Sequence, residues 1–184
     1  MRKLRVLCCH TASISVVLGF ILFFTAAQVA AAEVSWESLG LRGGASITRR
    51  TYFQSEVFSR WNLPWQWRAG TNWSTTTKLD LSAGCLRGRH ENGFVGTIGP
   101  CLVLQLGNLP VYLDAGVSPT FLSRASYDNR DFAIPFQFTS HLGLDWKFAQ
   151  HWKVGCRYQH MSNAGLGMPN PGLNINMVSV SYLW

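Results

Sequence analysis

The sequence predicts an all-β fold, an eight-stranded antiparallel transmembrane β-barrel, and three observations predict it. Apolar and polar residues alternate with period two over stretches of about ten residues. After residue 32, no segment holds 18 uninterrupted apolar residues, so no helix there is long enough to cross a membrane. The turns between the alternating stretches are short and long in turn, as membrane barrels require of their two rims.

Residues 1–32 read as a secretory signal peptide and 33–184 as the barrel. Arg2, Lys3 and Arg5 form a positive start, an apolar run follows from Ala12 to about Ala27, and Ala30-Ala31-Ala32 supplies small residues for cleavage. The alternative is an uncleaved anchor helix, but no basic stop-transfer residues follow the run. Cys8 and Cys9 precede the apolar run, which argues against a lipoprotein signal. Without the leader the chain has 13 Lys+Arg against nine Asp+Glu, a net +4. That suits a phosphate-bearing partner such as lipopolysaccharide. No basic run or motif accompanies it, so nucleic acid is not expected.

The first strand, about 38–47, is weakly patterned through Leu39, Leu41, Ala45 and Ile47; the next, 51–61, is also irregular. Asn62–Trp73 reads as a long, Trp-rich connection at the membrane interface. Over 77–87, Leu79, Leu81, Ala83 and Cys85 oppose Lys78, Asp80, Ser82 and Gly84. A strand over 94–106 is followed by the short turn Gly107–Pro110. Over 111–121, Val111, Leu113, Ala115, Val117 and Phe121 oppose Tyr112, Asp114, Ser118 and Thr120. Ser123–Asp131 is a longer polar loop. The clearest alternation is 134–148, where Phe136, Phe138, Leu142, Leu144, Trp146 and Phe148 share one face. Strands over 151–160 and 177–184 close the set around the loop Asn163–Pro171.

A soluble β-sandwich or lipocalin-like barrel alternates in the same way, with the polar face outside. Export, and aromatics near strand ends (Trp146, Phe148, Trp152, Tyr182, Trp184), favour the membrane form. Asp114, Asp145, Lys147, Lys153 and Arg157 would then lie in the lumen as ion pairs, and Trp184 would serve as the terminal aromatic of the assembly signal. The three cysteines past the leader, Cys85, Cys101 and Cys156, are odd in number and lack metal-ligand spacing. They read as small buried or lipid-facing residues, and no metal or other cofactor is expected.

His160 and Ser162 are two apart on the seventh strand and share a face. Parity puts that face with Trp152, Val154, Cys156 and Tyr158, toward lipid. Polar groups there are costly unless they have a partner or a function. From a periplasmic start the seventh strand runs outward, which sets the pair at the outer leaflet. Were Ser162 to pair with Asn174, His160 would pair with Asn176, and both asparagines share the same face. A nucleophile, a base and an orienting group would then converge. The bland alternative is the wet end of a strand. His141 falls on the lumen face as a packed polar residue. Arg49, Arg50, Arg87, Arg89, His90 and Glu91 fall in outer loops, where the arginines could meet lipid phosphates or simply be solvated.

The stretch Arg157-Tyr158-Gln159-His160-Met161-Ser162-Asn163-Ala164-Gly165-Leu166, followed by Pro169-Asn170-Pro171-Gly172, resembles the lipid A 3-O-deacylases of the PagL type. The resemblance implies an eight-stranded outer-membrane barrel that hydrolyses the 3-O-linked acyl chain of lipid A with a Ser-His-Glu triad and no metal. It implies Ser162 as nucleophile, His160 as general base, Asn163 at the oxyanion and Phe138 beside the acyl groove. The family's glutamate falls at Asn174, and no Asp or Glu follows Asp145. Two other classes stay open: a structural or adhesive barrel with a degraded triad, and another outer-membrane lipid acyl hydrolase or acyltransferase.

Overall fold

The structure is a computed structural model that describes residues 33–47, 52–69 and 73–184. The leader expected over 1–32, and Arg49 and Arg50, lie outside the described residues. Ten strands follow in order: β1 (Ser35–Ser46), β2 (Phe53–Ala69), β3 (Trp73–Arg87), β4 (Asn92–Leu106), β5 (Val111–Leu122), β6 (Ser126–Tyr127), β7 (Arg130–Asp131), β8 (Phe136–Ala149), β9 (Trp152–Ser162) and β10 (Leu173–Leu183). Eight of them close an antiparallel barrel in the order β1-β10-β9-β8-β5-β4-β3-β2, while β6 and β7 form a separate small hairpin. The expected eight-stranded barrel is the observed one.

The inside and outside are those of a membrane barrel. Leu41, Val117, Leu142 and Val178 point out and are 54–70% exposed. Arg42, Glu56, Arg60, Asp80, Asp114 and Arg157 point in and are all buried. Arg42 pairs with Glu56 and, at 3.0 Å, with Asp80; Arg60 pairs with Asp80 at 3.1 Å, with Asp145 at 2.7 Å and with Asp114. Arg157 reaches Asp80 at 3.1 Å. Nearer the inner rim, Lys78 and Lys153 share Glu37. Five cations thus meet five carboxylates, so the lumen cluster is electrically balanced. Burying these charges is tolerable only because each is paired in this way. Lys147, expected among them, is half-buried beside a register shift between β8 and β9.

The outer third of the lumen is apolar instead. Tyr52, Leu86, Val95, Leu122, Tyr127, Phe132, Met161, Leu173, Ile175 and Met177 form one buried cluster. The β6–β7 hairpin folds into this cluster, since Tyr127 and Phe132 are fully buried. Here the binary pattern inverts. On β10 the inward residues are Leu173, Ile175 and Met177, and the outward ones are Asn174 and Asn176. That inversion explains why alternation places the strand at 177–184 and not at Leu173.

The Trp-rich connection expected over Asn62–Trp73 is a second correction. β2 runs on to Ala69 and pairs with β3 down to Ala69↔Trp73. The register shifts between Asn62 and Gln66, a stretch containing Pro64, whose nitrogen cannot donate to a ladder. A bulge breaks the period of two, so the continued strand reads as a loop.

Aromatics mark both rims. Trp36 stacks on Trp184 at 3.8 Å, with Trp152 edge-on to Tyr182, at the inner end. Phe53, Phe94, Phe121 and Phe136 point outward at the other end. This is the girdle arrangement of outer-membrane barrels.

Candidate active site

Ser162 ends β9, and across the sheet it pairs with Phe138 of β8. His160 pairs with Ser140 on one side and with Asn174 on the other. The side chains of Ser162, His160, Ser140 and Asn174 all face outward and are half-buried. Asn176 pairs with Tyr158, so it is not the residue opposite His160, and Ser162 lies beyond the last β10 pair, Leu173↔Met161. The register expected from the sequence is therefore off by two residues. A slip of two keeps every side chain on its own face, so alternation cannot choose between the two registers.

His160 and Asn174 are hydrogen-bonded, with Nδ1 and Oδ1 2.6 Å apart. An amide oxygen only accepts, so Nδ1 carries the hydrogen and donates it. In the neutral ring Nε2 then holds the lone pair. The ring lies against Gly172: a Cβ there would sit 2.8 Å from His160 Cε1, and its φ of +59° also favours glycine.

Asn163 is fully buried and turned into the loop. Its Nδ2 donates to the carbonyls of Gly167 at 2.9 Å, Phe132 at 3.1 Å and Pro169 at 3.4 Å. Its Oδ1 accepts from Gly165 N at 2.9 Å, and its own N–H donates to Asn170 Oδ1 at 3.2 Å. The side-chain amide expected at the oxyanion is thus engaged in fixing the turn after Ser162. Leu166 N donates to Asn163 O at 3.0 Å across Ala164 and Gly165, both at positive φ, as in a type I′ turn.

Phe138 lies beside Ser162, packed edge-on to Phe136 at 5.1 Å. On the membrane side of the His160–Asn174 rung a groove of about 690 Å³ opens on the outer face, lined by Leu113, Leu142, Leu144, Cys156, Tyr158 and Val178 among others. Sequence reasoning did not locate this groove; its floor depends on small residues such as Gly43 and Cys156 meeting from different strands. It also missed Arg130, 42 positions from Gly172, and the packing of Gly172 against the His160 ring.

The other candidate residues lie elsewhere. His141 is buried in the lumen, and its Nε2 has no hydrogen-bond partner among the described residues. Arg87 and Arg89 line a second outer groove with Phe53, Ser55 and Cys85. The N–H groups of Arg89 and His90 donate to Asp128, and Glu91 pairs with Arg124 at 3.5 Å. Cys85 and Cys156 are exposed, Cys101 is buried, and all three are free thiols.

Comparison with known proteins supplies the family. The family model described as lipid A 3-O-deacylase (PagL) matches residues 52–183. The chain is 32% identical over 127 residues to the lipid A deacylase PagL of Bordetella bronchiseptica, covering 64% of this chain and 68% of that one. To the lipid A deacylase PagL of Pseudomonas aeruginosa it is 27% identical over 135 residues, covering 65% and 74%. Its fold is similar to the crystal structure of the outer membrane enzyme PagL, with a TM-score of 0.70 at 19% identity over 78% of this chain and 97% of that one. It is also similar, with a TM-score of 0.50 at 10% identity over 83% and 100%, to the N-terminal β-barrel domain of Pseudomonas aeruginosa OprF. The matched span takes in β9, β10 and the loop that joins His160 and Ser162 to Asn174, and with it the chain belongs to the lipid A 3-O-deacylase family.

Proposed function

We propose that this protein hydrolyses the 3-O-linked acyl ester of lipid A in the outer membrane, with Ser162 as nucleophile and His160 as general base. The reading is carried by one observation: the His160–Asn174 bond fixes the tautomer that leaves Nε2 basic, on a lipid-facing edge two residues from a serine. His160 Nε2 takes the Ser162 hydroxyl proton as Oγ attacks the ester carbonyl. The tetrahedral intermediate collapses, the sugar oxygen leaves with that proton, and the acyl group stays on Ser162. Water, deprotonated by the same nitrogen, then releases the fatty acid and restores the serine.

The other groups have supporting parts. The acyl chain lies along Phe138 and the groove beneath the rung, whose apolar lining matches hydrocarbon. Asn163 holds the turn after the nucleophile, and its N–H reaches the oxyanion by exchanging its bond to Asn170. Asn174 orients the ring but brings no negative charge to the imidazolium. In a serine protease the change from Asp to Asn at this role costs about 10⁴ in kcat by imposing the wrong tautomer, a loss the His160–Asn174 bond avoids, so only the missing charge counts here. The enzyme is therefore slower than a relative with a carboxylate here. That neutrality is also what favours the second reading, a barrel whose triad is spent.

The test is expression in a bacterium without such activity, followed by mass spectrometry of its lipid A. Loss of one 3-hydroxyacyl mass with the wild-type chain and not with Ser162→Ala is the expected result. An unchanged spectrum with folded barrel in the outer membrane removes lipid A as substrate.

A further inference from the structure

We propose that Arg130 is a positioning residue for the catalytic pair, and that the β6–β7 hairpin braces the site from both flanks. This inference rests on the reading of His160 and Ser162 given above. Two hairpin residues, Arg130 and Phe132, span both flanks. The Phe132 carbonyl accepts the Asn163 amide at 3.1 Å, directly after the nucleophile. The Arg130 guanidinium donates to the Gly172 carbonyl and, at 3.5 Å, to that of Pro171, directly before Asn174.

Gly172 transmits position in two ways. It touches the His160 ring, which is why no Cβ fits there. It also leads into β10, whose second residue is Asn174. The segment before it, Pro169-Asn170-Pro171, contains two residues without an N–H and precedes the first β10 pair at Leu173. Its carbonyls are held from outside the ladder, Pro169 by Asn163 and Pro171, with the following Gly172, by Arg130. From the β1 side the bond from Ile47 N to Asn174 O, 3.1 Å, adds to this support.

Arg130 is itself held. Its guanidinium lies over the Tyr52 ring at 5.2 Å, and Tyr52 is buried. The Tyr52 hydroxyl donates to Tyr127 O at 3.1 Å or Asn129 Oδ1 at 3.2 Å, within the same hairpin. The chain of contacts thus runs from the apolar plug through Tyr52 and Arg130 to Gly172 and the imidazole. A planar group with several N–H donors can stack and bridge carbonyls at once, which an ammonium cannot. Loss of this support lets Gly172 move away from the ring and loosens the His160–Asn174 bond. Misplacement of reacting groups by about 1 Å can cost on the order of 10²-fold.

The experiment compares Arg130→Ala, Arg130→Lys and Arg130→Met in folded protein, by kinetics on lipid A and by ¹⁵N NMR of the His160 imidazole, assigned with His160→Gln. For Arg130→Ala we expect kcat lower by about 10- to 100-fold, an almost unchanged KM, and a smaller share of the Nδ1–H tautomer. Arg130→Lys restores part of both. Arg130→Met keeps cover on Tyr52 without any donor, and carries the same expectation if the alanine variant does not fold. Wild-type kcat with an unchanged tautomer overturns the proposal. So does a lowered kcat with the tautomer unchanged in every variant, since that is general loosening. Wild-type protein inactive on lipid A defeats the functional reading alone, because the tautomer still reports on the brace.

Discussion

Asn174 accepts the Nδ1 hydrogen of His160 at 2.6 Å, so an uncharged side chain holds the tautomer that a carboxylate would hold with charge. Asn174→Glu keeps the acceptor and adds the charge that stabilises the imidazolium. We expect kcat on lipid A to rise by about tenfold or more, but by less than the roughly 10⁴ seen in a serine protease, where the amide also imposes the wrong tautomer. Kinetics of the purified variant decide this. A fall would give the amide a role of its own.

Gly172→Ala strains a residue at φ +59° and pushes a methyl into His160 Cε1. The backbone cost is about 1–3 kcal/mol, and activity falls by about 100-fold through displacement of the ring. Comparing melting with turnover separates the two. A variant of near-native stability with native turnover would contradict the contact.

Asn163→Ala leaves the carbonyls of Phe132, Gly167 and Pro169 without the amide they share. The loop loses about 1–3 kcal/mol. Limited proteolysis between Asn163 and Gly172 should be faster than in wild type while the barrel core stays resistant.

Asp80 receives bonds from Arg42, Arg60 and Arg157. Asp80→Leu leaves these guanidiniums short of one shared anion, at a cost of about 3–5 kcal/mol. The expected sign is a lower temperature for loss of the folded band on unheated gels. Turnover well below that temperature is largely kept, because the ion cluster faces away from Ser162.

Asp128 is held below the usual carboxylate range by the N–H of Arg89 and then that of His90, which donate to its ionised form. A folded-state pKa that is depressed adds stability above the unfolded value, near 3.8, and loses it as pH falls through the folded value. The tie between the β3–β4 turn and the β6–β7 hairpin is therefore intact at neutral pH and releases in acid. Protection factors over 123–135, taken relative to the intrinsic exchange rate at each pH, should fall on acidification in wild type. In Asp128→Asn they should be lowered already at neutral pH.

The barrel was legible wherever one face meets lipid and the other meets charge. The 134–148 stretch shows this, and Asp114, Asp145, Lys153 and Arg157 lie inside as the alternation requires. It was illegible where that chemistry inverts. Leu173, Ile175 and Met177 point into an apolar plug, so the start of β10 carries the wrong signature for a lumen face. The β2 extension was hidden by its bulge. His160 and Ser162 were visible because parity sets them on the lipid face. Which asparagine meets His160 was not, since registers two residues apart share every face. Arg130 was beyond reach of any local pattern, as its partner Gly172 lies 42 positions away in the chain.

The closed lumen has a kinetic meaning. Ser162 faces outward, and among the described residues the interior behind it is filled by ion pairs and the apolar plug. Substrate arrives sideways, by diffusion in the plane of the bilayer. Turnover then follows the mole fraction of substrate among surrounding lipids, not its amount per volume. Adding inert amphiphile at constant bulk substrate should slow the reaction, and crowding the leaflet with substrate should saturate it.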